Sequence, residues 1–214
     1  MPLEEANATQ VPRNGLVLWL DANDLNADGL ADNLPTGTLI DSWKSKVGDA
    51  NATQSTELLK PKSNFFGDTN LKAVAFDGGD YLLDDNASLP VQHIFAVYRG
   101  NFDRNDVMIS NETNNLIQVY TDHGSRFLYG DFFKEDGGTI RVSGKDCPKY
   151  ESHNYKTWQA DLLTTSSGSG GSYTGTIYKL GIGAKTATDN HWEGEFGEIL
   201  FYDRALSNSE RDAV

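Results

Sequence analysis

A disulfide framework is excluded at once, because the 214-residue chain holds a single cysteine, Cys147. No metal-ligand set or catalytic partner accompanies that thiol in the sequence, and the four histidines show no zinc spacing. Positive charge is also scarce. Eighteen Lys and Arg against 31 Asp and Glu give a formal charge of −13 and a pI near 4.6. Nucleic acid and anionic membrane surfaces need clustered cations, so both are poor partners for this chain. No apolar run reaches the length of a membrane span, which excludes insertion by a helix. The opening stretch, Met1 to Asn7, lacks a basic segment followed by an apolar one and does not read as a signal peptide.

What is plentiful points to strands and tight turns. The chain has 21 Gly, 9 Tyr and 10 Phe, with Asn, Asp, Ser and Thr recurring between short apolar runs. Strand-like runs are Leu16–Leu20, Ala73–Phe76, Tyr81–Leu83, His93–Tyr98, Val107–Ser110, Leu116–Tyr120, Arg126–Tyr129, Thr139–Val142, Thr157–Leu163, Tyr173–Leu180 and Gly197–Tyr202. Several alternate apolar with polar, as half-buried strands of a two-layer sandwich do. The Ser- and Gly-rich stretch from Ser166 to Ser172 reads as a hairpin loop, because strand signals continue on both sides of it. We therefore expect an all-β protein: a polar lead-in over residues 1–14, then one β-sandwich domain over 15–214. A short C-terminal helical turn is expected where Ser207 and Glu210 form an S-x-x-E capping box.

The most specific motif is D-L-N-A-D-G-L-A-D, Asp24 to Asp32. Side-chain oxygens at positions 1, 3, 5 and 9 (Asp24, Asn26, Asp28, Asp32), glycine at 6 and the Leu30 carbonyl at 7 match the first half of a calcium-binding loop. An all-oxygen set suits a hard cation. The twelfth position, where an EF-hand carries a bidentate Glu, is Pro35, and the preceding Leu16–Leu20 run reads as a strand. The expectation is therefore a helix-free calcium loop in which Asp21, Asn23 or a distant residue supplies the missing ligand. Its affinity should be of the order of 10⁻⁴–10⁻³ M, the range of extracellular modules. That range favours a secreted or cell-surface protein.

Sugar recognition calls for exposed aromatic faces beside planar hydrogen-bonding groups. Trp192, with Asn190 and His191 before it, is the first candidate; Trp158, Tyr155 and Tyr150 follow, then Asp131, Phe132 and Phe133. Trp19 and Trp43 are expected in the core, and His93 is expected to be structural. His123, Arg126 and Tyr129, near Gln118 and Tyr120, form a weaker constellation of the kind used in polysaccharide lyases. Sequons stand at Asn7, Asn51, Asn86 and Asn111.

Three stretches carry a family resemblance: G-L-V-L-W-L-D-A (Gly15–Ala22), V-A-F-D-G-G-D-Y-L (Val74–Leu82) and W-E-G-E-F-G-E-I-L-F-Y-D-R-A-L-S-N-S-E-R (Trp192–Arg211). Together they resemble the laminin-G-like, concanavalin A-like lectin and glucanase superfamily. The resemblance implies a jelly roll of two antiparallel sheets and a non-catalytic, calcium-stabilised module that binds polysaccharide. Such a module would belong to a larger secreted or surface protein of bacterial type. It also raises a catalytic alternative: Glu193, Glu195 and Glu198 form E-x-E-x-x-E, similar to the E-x-D-x-x-E signature of glucanases on this fold. A third reading is an adhesive domain that contacts protein. Fold likeness alone transfers no activity.

Overall fold

In the computed structural model the described residues are 11–67, 69–100, 106–111, 115–122, 125–129, 139–142, 145–147, 161–166, 175–184 and 190–214. They form two antiparallel sheets, a 3-10 turn at Glu57–Leu59 and one short α-helical turn, the all-β sandwich expected from the turn-rich composition. The first sheet contains β1 (Leu16–Asp21), β4 (Lys62–Phe65), β5 (Lys72–Asp77), β7 (His93–Gly100), β11 (Thr139–Val142), β12 (Lys145–Cys147), β13 (Asp161–Ser166) and β15 (Glu193–Tyr202). Its order is β12-β11-β13-β7-β15-β5-β4, with β1 also paired to β15. The second sheet contains β2 (Ser42–Lys44), β3 (Asn51–Thr53), β6 (Leu82–Val91), β8 (Val107–Ser110), β9 (Asn115–Asp122), β10 (Ser125–Tyr129) and β14 (Gly175–Ile182). Its order is β10-β9-β8-β14-β6-β3-β2. The strands with no apolar signature in the sequence, β2, β3, β4 and β12, are short and lie at or beside sheet edges, where polar residues suffice.

Alternation along each strand decides what is buried. Leu18 and Leu20 of β1, Val74 and Phe76 of β5, Ile94, Ala96 and Tyr98 of β7, and Phe196, Ile199 and Phe201 of β15 turn into the space between the sheets. Leu82, Met108, Ile177 and Ile182 meet them from the opposite sheet. Trp43 joins this core as expected, its Nε1 donating to the Asp21 carbonyl at 3.1 Å. Trp19 does not: it lies half-buried on the outer face, between the Arg13 guanidinium at 4.3 Å and the Lys46 ammonium at 4.7 Å. Its position in β1 puts it out of phase with Leu18 and Leu20, which fill the core.

A second, smaller apolar cluster closes the outer face of the first sheet. Phe95, Leu200, Tyr202 and Leu206 are buried together, with Val11, Leu16, Trp19 and Val214 packed around them. The helical turn α1 (Asn208–Arg211) ends the chain as the capping box requires: the Ser207 hydroxyl accepts from the Glu210 N–H, and the Glu210 carboxylate accepts from the Ser207 N–H. His93, 2 % exposed, fastens this segment to the sheet through its Nδ1, which accepts from the Leu206 N–H at 2.9 Å.

Burial, reinforced by the positive Arg211 and Arg204 and opposed by Glu210, pushes His93 down to about 4 from the usual 6.5. Its Nε2 has no hydrogen-bond acceptor among the described residues. A protonated ring would therefore bury an unpaired N–H. Because the folded value lies below the unfolded one, the unfolded chain takes the proton first. The stability held above pH 6.5 falls as pH drops towards 4, by about 2 kcal/mol after allowance for screening. Asp80 runs the other way: burial and the Asp77 carboxylate push it up to about 6, so its contribution improves as pH falls through that value. The difference between wild type and His93→Asn, in denaturant melts at pH 7 and pH 4.5, cancels Asp80 and isolates the histidine. We expect the wild type to lose about 2 kcal/mol more than the variant over that interval.

Candidate functional site

An open groove of about 730 Å³ lies along β3 and β6 of the second sheet and is also lined by Leu16 and Val17 of β1 and the 48–50 turn. It exists because β3 meets β6 at a single register pair, Thr53↔Leu83. Beyond that pair Asp84, 6 % exposed, takes the place of a backbone partner: its Oδ2 accepts from the Asn51 N–H at 2.8 Å and its Oδ1 from the Asn86 N–H at 3.0 Å. The strands splay apart around that carboxylate. Pro90, which has no N–H to offer a ladder, sits on the exposed stretch of β6 that lines the groove.

A bulge sets the side chains. β14 pairs with β6 through Leu180↔Asp84 and Tyr178↔Ser88, so Lys179 alone opposes three residues of β6. Lys179 takes a left-handed backbone at φ 57°. The extra residues shift the phase of β6: Leu82 and Asp84 are buried before the bulge, and Ala87, Leu89 and Val91 after it. Asp85, Asn86, Ser88 and Pro90 consequently face solvent. Directly across the ladder from Ser88, the phenol of Tyr178 is 58 % exposed. Asn51, Thr53, Asn86 and Ser88 thus offer amides and hydroxyls along the groove, and the exposed Tyr178 stands outside its lining, on β14 across the ladder from Ser88. Sequence reasoning passed over Tyr178; T-I-Y-K-L does not alternate, since Tyr178 and Lys179 are both exposed between the buried Ile177 and Leu180.

The aromatic residue ranked first from sequence lies elsewhere. Trp192 is completely buried, its ring centroid 4.6 Å from that of Phe196 and within van der Waals range of Gly100 and Gly194. The expectation that its indole stacks on a sugar is corrected: the residue belongs to the core because its neighbours in β15 and β7 are glycines that leave space for it. His191 is half-buried, its ring 5.6 Å from that of Tyr81, and its backbone bridges to Val107. Asn190 is exposed, adopts φ 54° and accepts the Val107 N–H through its carbonyl. Trp158, Tyr155, Tyr150, Asp131, Phe132, Phe133 and His123 lie outside the described residues. Gln118, Tyr120, Arg126 and Tyr129 fall on β9 and β10.

The candidate calcium loop follows β1. Asp24 is 3 % exposed; its two oxygens accept from the N–H groups of Asp28 and Gly29, each at 3.0 Å. Asn26 Oδ1 accepts from the Asp28 N–H and Asp28 Oδ1 from the Leu30 N–H. Gly29 stands at φ 85°, the conformation the sixth position requires. Asp32 closes the loop, its carboxylate accepting from the Leu25 N–H at 2.7 Å. The turn is thus held by hydrogen bonds from the loop's own N–H groups, and its side chains offer only oxygen donors. The charge is currently balanced by Lys46, 3.0 Å from Asp21 and 3.4 Å from Asp24. Partial burial pulls Lys46 down, but the Asp21 and Asp24 carboxylates hold it above its usual range. Among the described residues, no three Asp, Glu, His or Cys side chains are gathered into a metal-holding group.

Glu193, Glu195 and Glu198 do share one face. The β15 bulge between Phe196 and Glu198 puts all three on the outer side of the first sheet. Glu195, however, is 4 % exposed and fully engaged: Asn64 Nδ2 donates to it at 2.8 Å, the Gly67 N–H at 3.3 Å, and Arg99 Nε lies at 3.3 Å. Glu198 accepts the Trp19 indole N–H at 2.5 Å, and burial pushes its carboxyl up. No protein-family model matches the chain, and no curated protein matches it.

Proposed function

We propose that the chain is a non-catalytic carbohydrate-binding module of a secreted or cell-surface bacterial protein, and that a calcium ion held by Asp24, Asn26, Asp28, Leu30 and Asp32 stabilises it. The observation that carries the reading is the groove beside Tyr178. Polysaccharides present alternating hydroxyl edges and C–H faces, and a furrow of amides and hydroxyls next to an exposed ring complements both. Calcium would tie down the loop that follows β1 without touching the sugar, since the loop and the groove involve different residues.

The runner-up is glycan cleavage on the same scaffold, favoured by the shared face of Glu193, Glu195 and Glu198. It is disfavoured by the burial of the central carboxylate and its three partners.

A glycan array on the purified protein, in millimolar calcium and again with chelator, tests the module reading. We expect binding to a restricted set of polysaccharides. Tyr178→Ala should lower affinity about ten-fold, equal to about 1.4 kcal/mol, with an unchanged melting temperature because the ring is exposed. Binding to nothing refutes the module, and full retention by Tyr178→Ala refutes the groove. Calcium should raise the melting temperature of the wild type and leave Asp24→Ala/Asp28→Ala unmoved; a melt indifferent to chelator refutes the metal site.

A further inference from the structure

The groove has a charge as well as a shape. We infer that it selects uncharged glycan chains over uronate-bearing or sulfated ones, an inference that rests on the carbohydrate-binding reading. Asp49, Asp84 and Asp85 all line it, and none of its described lining residues is Lys, Arg or His. Asp84 is spent on holding the strands apart, so its carboxylate is fixed in place. Asp49 and Asp85 are exposed along the groove. Two ammonium groups stand on adjoining strands: Lys44, opposite Asn51, and Lys179, within the β14 bulge. They leave the three carboxylates in excess, on a chain whose overall charge is −13. A polyanion entering the groove meets carboxylates along its lining and finds no guanidinium or ammonium within it to repay its desolvation. A neutral chain meets acceptors instead, because carboxylates and amide oxygens take hydrogen bonds from sugar hydroxyls. The remaining lining, including Val17, Leu83 and Pro90, suits the C–H faces of a pyranose.

Matched polymers that differ only in charge test the selection. Two pairs serve: a β-glucan with its carboxymethylated derivative, and methyl-esterified homogalacturonan with its de-esterified form. Affinity electrophoresis at low and at physiological ionic strength is run on the wild type, Asp85→Asn and Ser88→Gln. Both substituted residues are exposed, so the variants should fold. The expected result is binding of at least one neutral member, at least ten-fold tighter than its charged counterpart at low salt. Asp85→Asn should narrow that gap about three-fold, and Ser88→Gln, which fills the groove, should weaken the neutral polymer. A charged member that binds as tightly as its neutral partner overturns the selection while leaving the module reading in place. Neutral binding untouched by Ser88→Gln overturns the assignment to this groove. If neither member of either pair binds and the wider array is also blank, the module reading falls and the selection with it.

Discussion

Replacing Trp192 with alanine should cost about 3–5 kcal/mol, the range for deleting a fully buried large aromatic. At 2–4 °C per kcal/mol for a chain of this size, the melting temperature should fall by about 10 °C. The indole sits among Phe76, Tyr98 and Phe196, with centroid separations of 6.3, 6.5 and 4.6 Å. Gly194 and Gly100 form the floor beneath it: a Cβ added at either would come within 2.2 or 2.5 Å of the ring. The cavity left by alanine is walled by β5, β7 and β15 of one sheet and cannot collapse without moving their pairing. Trp192→Phe should recover most of the loss, because the indole N–H finds no acceptor among the described residues and phenylalanine gives up area without breaking a hydrogen bond. Thermal melts of the two variants check the ordering. Glycan affinity measured well below the melt should be the same in Trp192→Phe and wild type; a selective loss of binding with an unchanged melt would restore Trp192 to a ligand surface.

That case shows where the sequence was readable and where it was not. Short apolar runs between turn residues are a local signal, and they placed β1, β5, β7 and β8 close to their observed bounds, whereas β15 begins at Glu193, four residues before the expected Gly197. The capping box at Ser207 is equally local and forms as expected. Trp192 was misplaced because its burial depends on Gly100, 92 positions away in sequence, and no local pattern shows that a distant glycine leaves a ring-sized space. The groove was illegible for a related reason. Asp84 replaces a strand partner only once β3 lies beside β6, and a bulge opposite Lys179 exchanges the faces of the residues that follow. Tyr178 was hidden in the same way: two residues before the buried Leu180, it would share that residue's face but for the bulge at Lys179. The loop from Asp24 to Asp32 was legible as a turn, since its glycine and side-chain acceptors act over a few residues. Its pairing with Lys46, across 22 positions, was not.

Glu195→Ala should destabilise the protein by about 3 kcal/mol, the low end for breaking a buried ion pair, since the Arg99 side chain keeps 24 % of its exposure and can partly rehydrate. The substitution takes the acceptor from the Asn64 amide and the Gly67 N–H and removes the carboxylate beside the Arg99 guanidinium. Those donors tie β4 and the turn after it to β15 and β7, so the loss should appear as early loosening of the 64–67 segment as well as a lower global melt. Glu198→Gln should behave differently. Burial already pushes that carboxyl towards its neutral form, and a glutamine oxygen can still accept the Trp19 N–H, so its stability change should stay within about 0.5 kcal/mol. A double-mutant cycle between Glu195 and Arg99 gives the decisive number. A coupling of about 2 kcal/mol or more assigns Glu195 to holding the sheet together. A coupling near zero, with an unchanged melt in Glu195→Ala and loss of glycan cleavage in that variant, would instead assign the three glutamates to catalysis.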